Sequence, residues 1–148
     1  MYKRILVAID GSATSERALK EALKLAKNSG GQLRIVHVVD LAGMIYPEYI
    51  GPSSDIWASL LKQGHELLDG ARRAAANAGV PAEISQLENS TPGNRVAQLI
   101  VQEADAWPAD LLVAGTHGRR GTSRVFLGSV AEQIARISNK PLLLIRSE

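Results

Sequence analysis

The sequence predicts a doubly wound α/β domain in three layers, α/β/α, built on a five-stranded parallel sheet ordered 3-2-1-4-5 with helices on both faces. Three observations predict it. Four strand-length runs are almost continuously apolar, which suits a parallel sheet covered on both sides. Segments of helical period separate them, so strand and helix alternate along the chain. One further strand is polar, and a polar strand belongs at a sheet edge.

The apolar runs are Ile5 to Ile9, Leu33 to Val39, Leu111 to Ala114 and Leu142 to Ile145. Each lies near Gly, Pro, Asp or Asn residues that punctuate regular structure. The polar strand is Ala82 to Glu88, with Glu83, Ser85, Gln86 and Glu88. Five strands joined by right-handed crossovers favour the orders 3-2-1-4-5 or 2-1-3-4-5, and the polar third strand at an edge selects the first. The last strand is also expected at an edge, and an apolar edge invites another strand, so a homodimer paired through residues 141 to 146 is expected.

The helical segments carry Ala18, Ala22, Leu25 and Ala26; Leu60, Leu61, Leu67, Leu68, Ala71 and Ala75; Val96, Leu99, Ile100 and Ala104; and Val130, Ile134 and Ile137. Thr91 as N-cap with Pro92 at the first helical position predicts where the third begins. Leu41 to Asp55, with Pro47, Pro52, Gly43, Gly51, Tyr46 and Tyr49, reads as a long irregular connection.

Length and composition limit the functional classes. A chain of 148 residues with 45% hydrophobic and 22% charged residues is the size and make-up of one globular domain, spanning 1–148. Seventeen Lys and Arg against fifteen Asp and Glu leave a charge of +2, too small for a general nucleic-acid surface. Without cysteine the chain forms neither a disulfide framework nor a thiolate site. The N-terminal apolar run stops at Asp10, too early for a signal peptide, and nothing approaches the eighteen or so apolar residues of a membrane span. A cytoplasmic protein without a membrane or nucleic-acid partner is the expectation.

In the order 3-2-1-4-5 the chain reverses across the sheet between strands 1 and 4, and ligands bind at the carboxyl ends flanking such a reversal. That points to Ala8 to Ser12 and to the stretch from Ala114 onward, AGTHGRRGTSRVFLGSVAEQ. Gly115 and Gly118 permit positive φ, so their peptides are expected to form an anion nest. Ser129 opens the last helix, whose free N–H groups attract phosphate. Arg119, Arg120 and Arg124 add charge between the two halves. The competing reading makes Ser129 and Glu132 an S-x-x-E capping box and Gly128 an ordinary loop glycine.

Gly115, Gly118, Gly128 and Ser129 follow G-x2-G-x9-G-[ST], and with ILVAIDGS, IVHVVD, ADLLVAGTHGRRG, FLGSVAEQIAR and KPLLLIR the chain resembles the universal stress protein family. The resemblance implies a flavodoxin-like domain, usually dimeric, whose nucleotide-binding members hold ATP. Carried over by position, it implies that Asp10 contacts the adenosine, while Ala8 and Val38 line the adenine pocket. Gly115, His117 and Gly118 would hold ribose or phosphate. Gly128, Ser129 and Val130 would hold the phosphate tail, with a divalent cation, Mg or Mn, bridging its oxygens. Ala114 stands in the same pocket, where the family often has methionine or valine, and Arg120 stands where a small polar residue is common.

Asp10 also has a structural reading, as a turn or capping aspartate. His117 reads as a binding residue, since no carboxylate or nucleophile neighbours it in sequence. His37 reads as a satisfied core or edge histidine, His65 as solvated, and Trp57 and Trp107 as packing residues. The expected function is an ATP-binding regulatory or stress-response protein. The alternatives are an interaction module with weak or no nucleotide binding and, lowest, a slow ATPase, for which neither a Walker lysine nor an assignable base is present.

Overall fold

The computed structural model describes residues 1–41, 55–90, 93, 95–117 and 127–146. Along the chain run β1 (Arg4–Ala8), α1 (Ala13–Ser29), β2 (Gln32–Asp40), α2 (Asp55–Ala78), β3 (Ala82–Asn89), α3 (Val96–Ala106), β4 (Leu111–Gly115), α4 (Ser129–Ile137) and β5 (Leu142–Ile145). The five strands form one parallel sheet in the order β3-β2-β1-β4-β5. The polar third strand is at one edge, as its composition predicts, and the apolar fifth is at the other, as its place last among the strands predicts.

Alternation along each central strand sends side chains to opposite faces. Ile5, Val7, Leu33, Ile35 and Val113 pack on one face with Ala18, Ala22 and Ala26 of α1 and Leu68, Ala71 and Ala75 of α2. Leu6, Val36 and Leu112 pack on the other with Ala97, Ile100, Val101 and Ala104 of α3 and Ile134 of α4. Each fully buried Leu or Ile contributes roughly 1.5–3 kcal/mol, so these layers dominate the stability. A third, small cluster joins Val39 and Leu41, at the end of β2, to Trp57 in the first turn of α2.

Helix α1 is capped at both ends. Ser12 accepts from the Ser15 amide at the start, and Gly30, at φ 68°, closes the end while the Gly31 amide donates to the Ala26 carbonyl across 2.8 Å. Helix α3 begins later than the sequence predicts. Its N-cap is Arg95, without a side-chain cap bond, and Gly93 stands at φ 108°, which a right-handed helix excludes. The Gly93 conformation therefore delays the helix to Val96; Thr91 and Pro92 lie outside the described residues.

The end of the sheet where the strands begin is tied off by charge. The Asp110 carboxylate accepts from the Lys3 and Arg4 amides at 2.9 and 3.1 Å. The Arg4 guanidinium stacks 4.2 Å from the Trp107 ring, and Arg34 bridges Glu83 and Glu103. Trp107 is thus a packing residue, as expected. The opposite end, where the strands finish, is open among the described residues.

Candidate functional site

At the carboxyl ends of β1, β2 and β4 lies a cleft of about 890 Å³, within the usual size of small-molecule sites. It lies where β1 is followed by α1 on one face of the sheet and β4 by α4 on the other. Its walls include Ala8, Asp10, Val38, Ala114, Gly115, His117, Gly128, Ser129 and Val130. Nine of the ten residues proposed from sequence therefore share one cavity. Gly118 lies outside the described residues, as do Arg119, Arg120, Gly121 and Arg124, and Tyr46 and Tyr49 of the long connection.

Three local expectations change. Ser129 is not the cap of α4: the N-cap is Gly128, at φ −64° and ψ 157°, and no side chain among the described residues caps the helix. Glu132 is engaged by Arg136 at 2.8 Å, so the capping box does not form. The first-turn amides of α4 thus meet the cleft without a side-chain cap among the described residues, and Ser129 is exposed beside them. Gly115 is not in a positive-φ conformation, so the expected nest does not include it. It is small for another reason, since a Cβ there would stand 2.6 Å from the buried Thr14 Cγ2.

Asp10 is structural and site-facing at once. Its Oδ1 accepts from the Ser12 amide at 2.9 Å, and its own amide donates to Ser15 Oγ at 3.2 Å. This chain of bonds positions the start of α1 and holds the carboxylate at the cleft wall. Across the cleft, His117 Nδ1 is hydrogen-bonded with Thr116 Oγ1 at 3.0 Å, which fixes the imidazole. Its Nε2 is buried without a hydrogen-bond partner among the described residues, which leaves one polar atom at the cleft wall for a ligand.

Thr116 links the site to the sheet edge. Its carbonyl accepts from the Gly128 amide and its amide donates to the Ile145 carbonyl, the latter at 2.8 Å. The sequence points to the stretches that contain Thr116 and Gly11 without giving either a contact, and His37 reads from sequence as structural; all three line the cleft. A glycine directly after a strand-ending aspartate was a usable signal for Gly11, which adopts φ 85°. His37 is satisfied as expected, through Nδ1 to the Ile9 carbonyl, but nothing local in the sequence shows that this bond faces a cavity.

With the sheet order and the cleft in place, comparison with known proteins is decisive. The family model described as universal stress protein family matches residues 1–146. The chain belongs to the universal stress protein family. A Staphylococcus aureus (strain USA300) relative assigned to the same family is 33% identical over 147 residues, covering 99% of this chain and 86% of the relative. A Burkholderia pseudomallei structure from the family superposes with a TM-score of 0.75 at 31% identity, over 97% of this chain and 96% of that one. The Archaeoglobus fulgidus universal stress protein in complex with dAMP gives 0.67 at 27% identity, over 97% and 98%. Like other members, this one has the flavodoxin-like sheet, and none of its described helices is long and apolar enough to cross a membrane.

Proposed function

We propose that this universal stress protein binds ATP or a related adenine nucleotide in the cleft between β1 and β4 and acts as a nucleotide-dependent regulatory or stress-response protein. The observation that carries the reading is the uncapped start of α4. Gly128 leaves the first-turn amides facing the same cavity as Asp10 and Val38, an arrangement suited to an anionic tail on one side and a base on the other. The partnerless His117 Nε2 supplies a further polar contact for ribose or phosphate. The dAMP complex of the Archaeoglobus fulgidus relative supports the choice of an adenine nucleotide.

The base side is selective as well. Even-numbered residues of β2 turn their backbone N–H and C=O towards β1, as in the Gln32 amide bond to the Lys3 carbonyl at 2.8 Å. Pairing of β1 with β2 ends at Ala8 and Val36, so Val38 presents a donor and an acceptor beyond the end of the neighbouring strand. Adenine offers the complementary pair, an acceptor at N1 beside an amino donor. A Mg or Mn ion would accompany the nucleotide, held by its phosphate oxygens.

The edge strand β5, with four half-exposed apolar residues, is the surface through which we place a homodimer. A cytoplasmic location accompanies the reading. Mass spectrometry of small molecules released from protein purified without added nucleotide tests it. An adenine nucleotide is expected in the released fraction; its absence, together with no saturable binding in an ATP titration, overturns the reading in favour of an interaction module.

A further inference from the structure

The ladder between β1 and β2 stops one rung short of where its two backbones would take it. Its bonds alternate regularly, from the Gln32 amide to the Lys3 carbonyl at 2.8 Å up to the Ile9 amide to the Val36 carbonyl at 2.9 Å. The next rung in a parallel ladder runs from the Val38 amide to the Ile9 carbonyl. That rung is not made, and the paired register ends at Ala8 and Val36. The Ile9 carbonyl instead accepts from His37 Nδ1 at 2.8 Å. On the other side β2 stays fully paired with β3 as far as Asp40 and Asn89, so β2 has not frayed.

We propose that His37 is a positioning residue for nucleotide recognition: its imidazole occupies the Ile9 carbonyl, keeps the Val38 amide out of the sheet, and so leaves that amide for the base of a bound adenine nucleotide. The inference rests on the nucleotide-binding reading of the cleft, although the arrangement of the rung stands without it. A carbonyl only accepts, so Nδ1 carries the proton and the tautomer at that atom is set.

Helix α2 is shaped to allow this placement. It crosses His37 and Gln86, which are register partners on β2 and β3, at Gly64. A Cβ at Gly64 would stand 3.0 Å from His37 Cδ2 and would run into Gln86 Oε1. Glycine costs a helix interior about 1 kcal/mol relative to alanine. The small residue therefore sits where the ring needs the space.

The consequence is selectivity. A backbone donor beside a backbone acceptor matches adenine, whose N1 accepts and whose amino group donates. Guanine presents the reverse, a donor at N1 and an acceptor at O6, and would leave two polar groups of the site unpaired. If His37 released Ile9, the Val38 amide would join the ladder and the site would lose the donor that distinguishes the two bases.

Amide hydrogen exchange by NMR on the ligand-free protein tests the rung directly. In the parent protein the Val38 amide is expected to exchange faster than that of Val36, and in His37→Leu it is expected to slow by at least tenfold. ATP affinity is then expected to fall about tenfold and the preference for ATP over GTP to approach one. His37→Asn, whose side-chain amide donates to the same carbonyl, is expected to restore both exchange and preference. A Val38 amide already as protected as Val36 in the parent overturns the proposal, whether or not any variant folds. So does a folded His37→Leu in which exchange and base preference are unchanged. Failure of the parent to bind ATP would instead overturn the nucleotide reading, with the exchange data still deciding the ladder.

Discussion

The Gly128 amide donates to the Thr116 carbonyl across 2.6 Å, joining the cap of α4 to the end of β4. This bond, rather than a capping side chain, sets where the last helix starts and which way its first turn faces. Gly128 has a backbone conformation open to any residue, with φ −64°. Its lack of a side chain is therefore available for a ligand's approach rather than demanded by the turn. Gly128→Val is expected to keep the circular dichroism spectrum while lowering ATP affinity at least tenfold. Normal ATP binding by the folded variant would show the phosphate end to be placed wrongly.

Ser129 separates a helix cap from a ligand contact. As an N-cap, its replacement by alanine would cost about 1 kcal/mol of stability. The hydroxyl is instead exposed at the first helical position and makes no cap bond, so Ser129→Ala is expected to change stability by no more than about 0.5 kcal/mol. ATP affinity should fall roughly tenfold, or about 1.4 kcal/mol. Urea unfolding beside an ATP titration measures both, and a destabilised variant that binds normally would restore the capping role.

The proposed dimer edge can be tested without damaging the core. Leu142 packs against the cluster containing Trp107 and Ile134, and Leu143 and Ile145 pack against the α1 side. Leu144 belongs to neither cluster. Replacing both Leu142 and Leu144 by charged residues would therefore disturb the fold as well as the edge. Leu144→Glu alone is expected to yield monomer by light scattering, with little change in thermal midpoint. A dimer of undiminished mass would reject β5 as the interface.

Gly31 tests the close approach of α1's exit to β1. A Cβ there would meet the Lys3 carbonyl oxygen at 2.7 Å and the Lys3 Cα at 3.0 Å, both backbone atoms that cannot rotate aside. Gly31→Ala is expected to destabilise the protein by about 1–3 kcal/mol in chemical unfolding. Unchanged stability would mean that the β1–β2 pair tolerates a shift at its start.

The sequence by itself determined the architecture. Apolar runs and 3.6-residue periods are local signals, and the polarity of Ala82 to Glu88 was enough to put β3 at the edge and choose the strand order. From that order followed the place of the cleft and the meeting of Asp10 with the start of α4. What only the tertiary structure decided rests mostly on residues far apart in the chain, and in one case on a backbone conformation that periodicity does not record. Gly93 at φ 108° held α3 back to Val96, and the Thr116–Gly128 bond made Ser129 a first-turn residue rather than a cap. Thr14 required Gly115 to be small, where the spacing alone suggested a nest. His37 and Ile9, separated by 28 positions, end a ladder inside the cleft. Periodicity records which face of an element is buried; it carries no information about which distant group takes a given carbonyl, and the site is made from such choices.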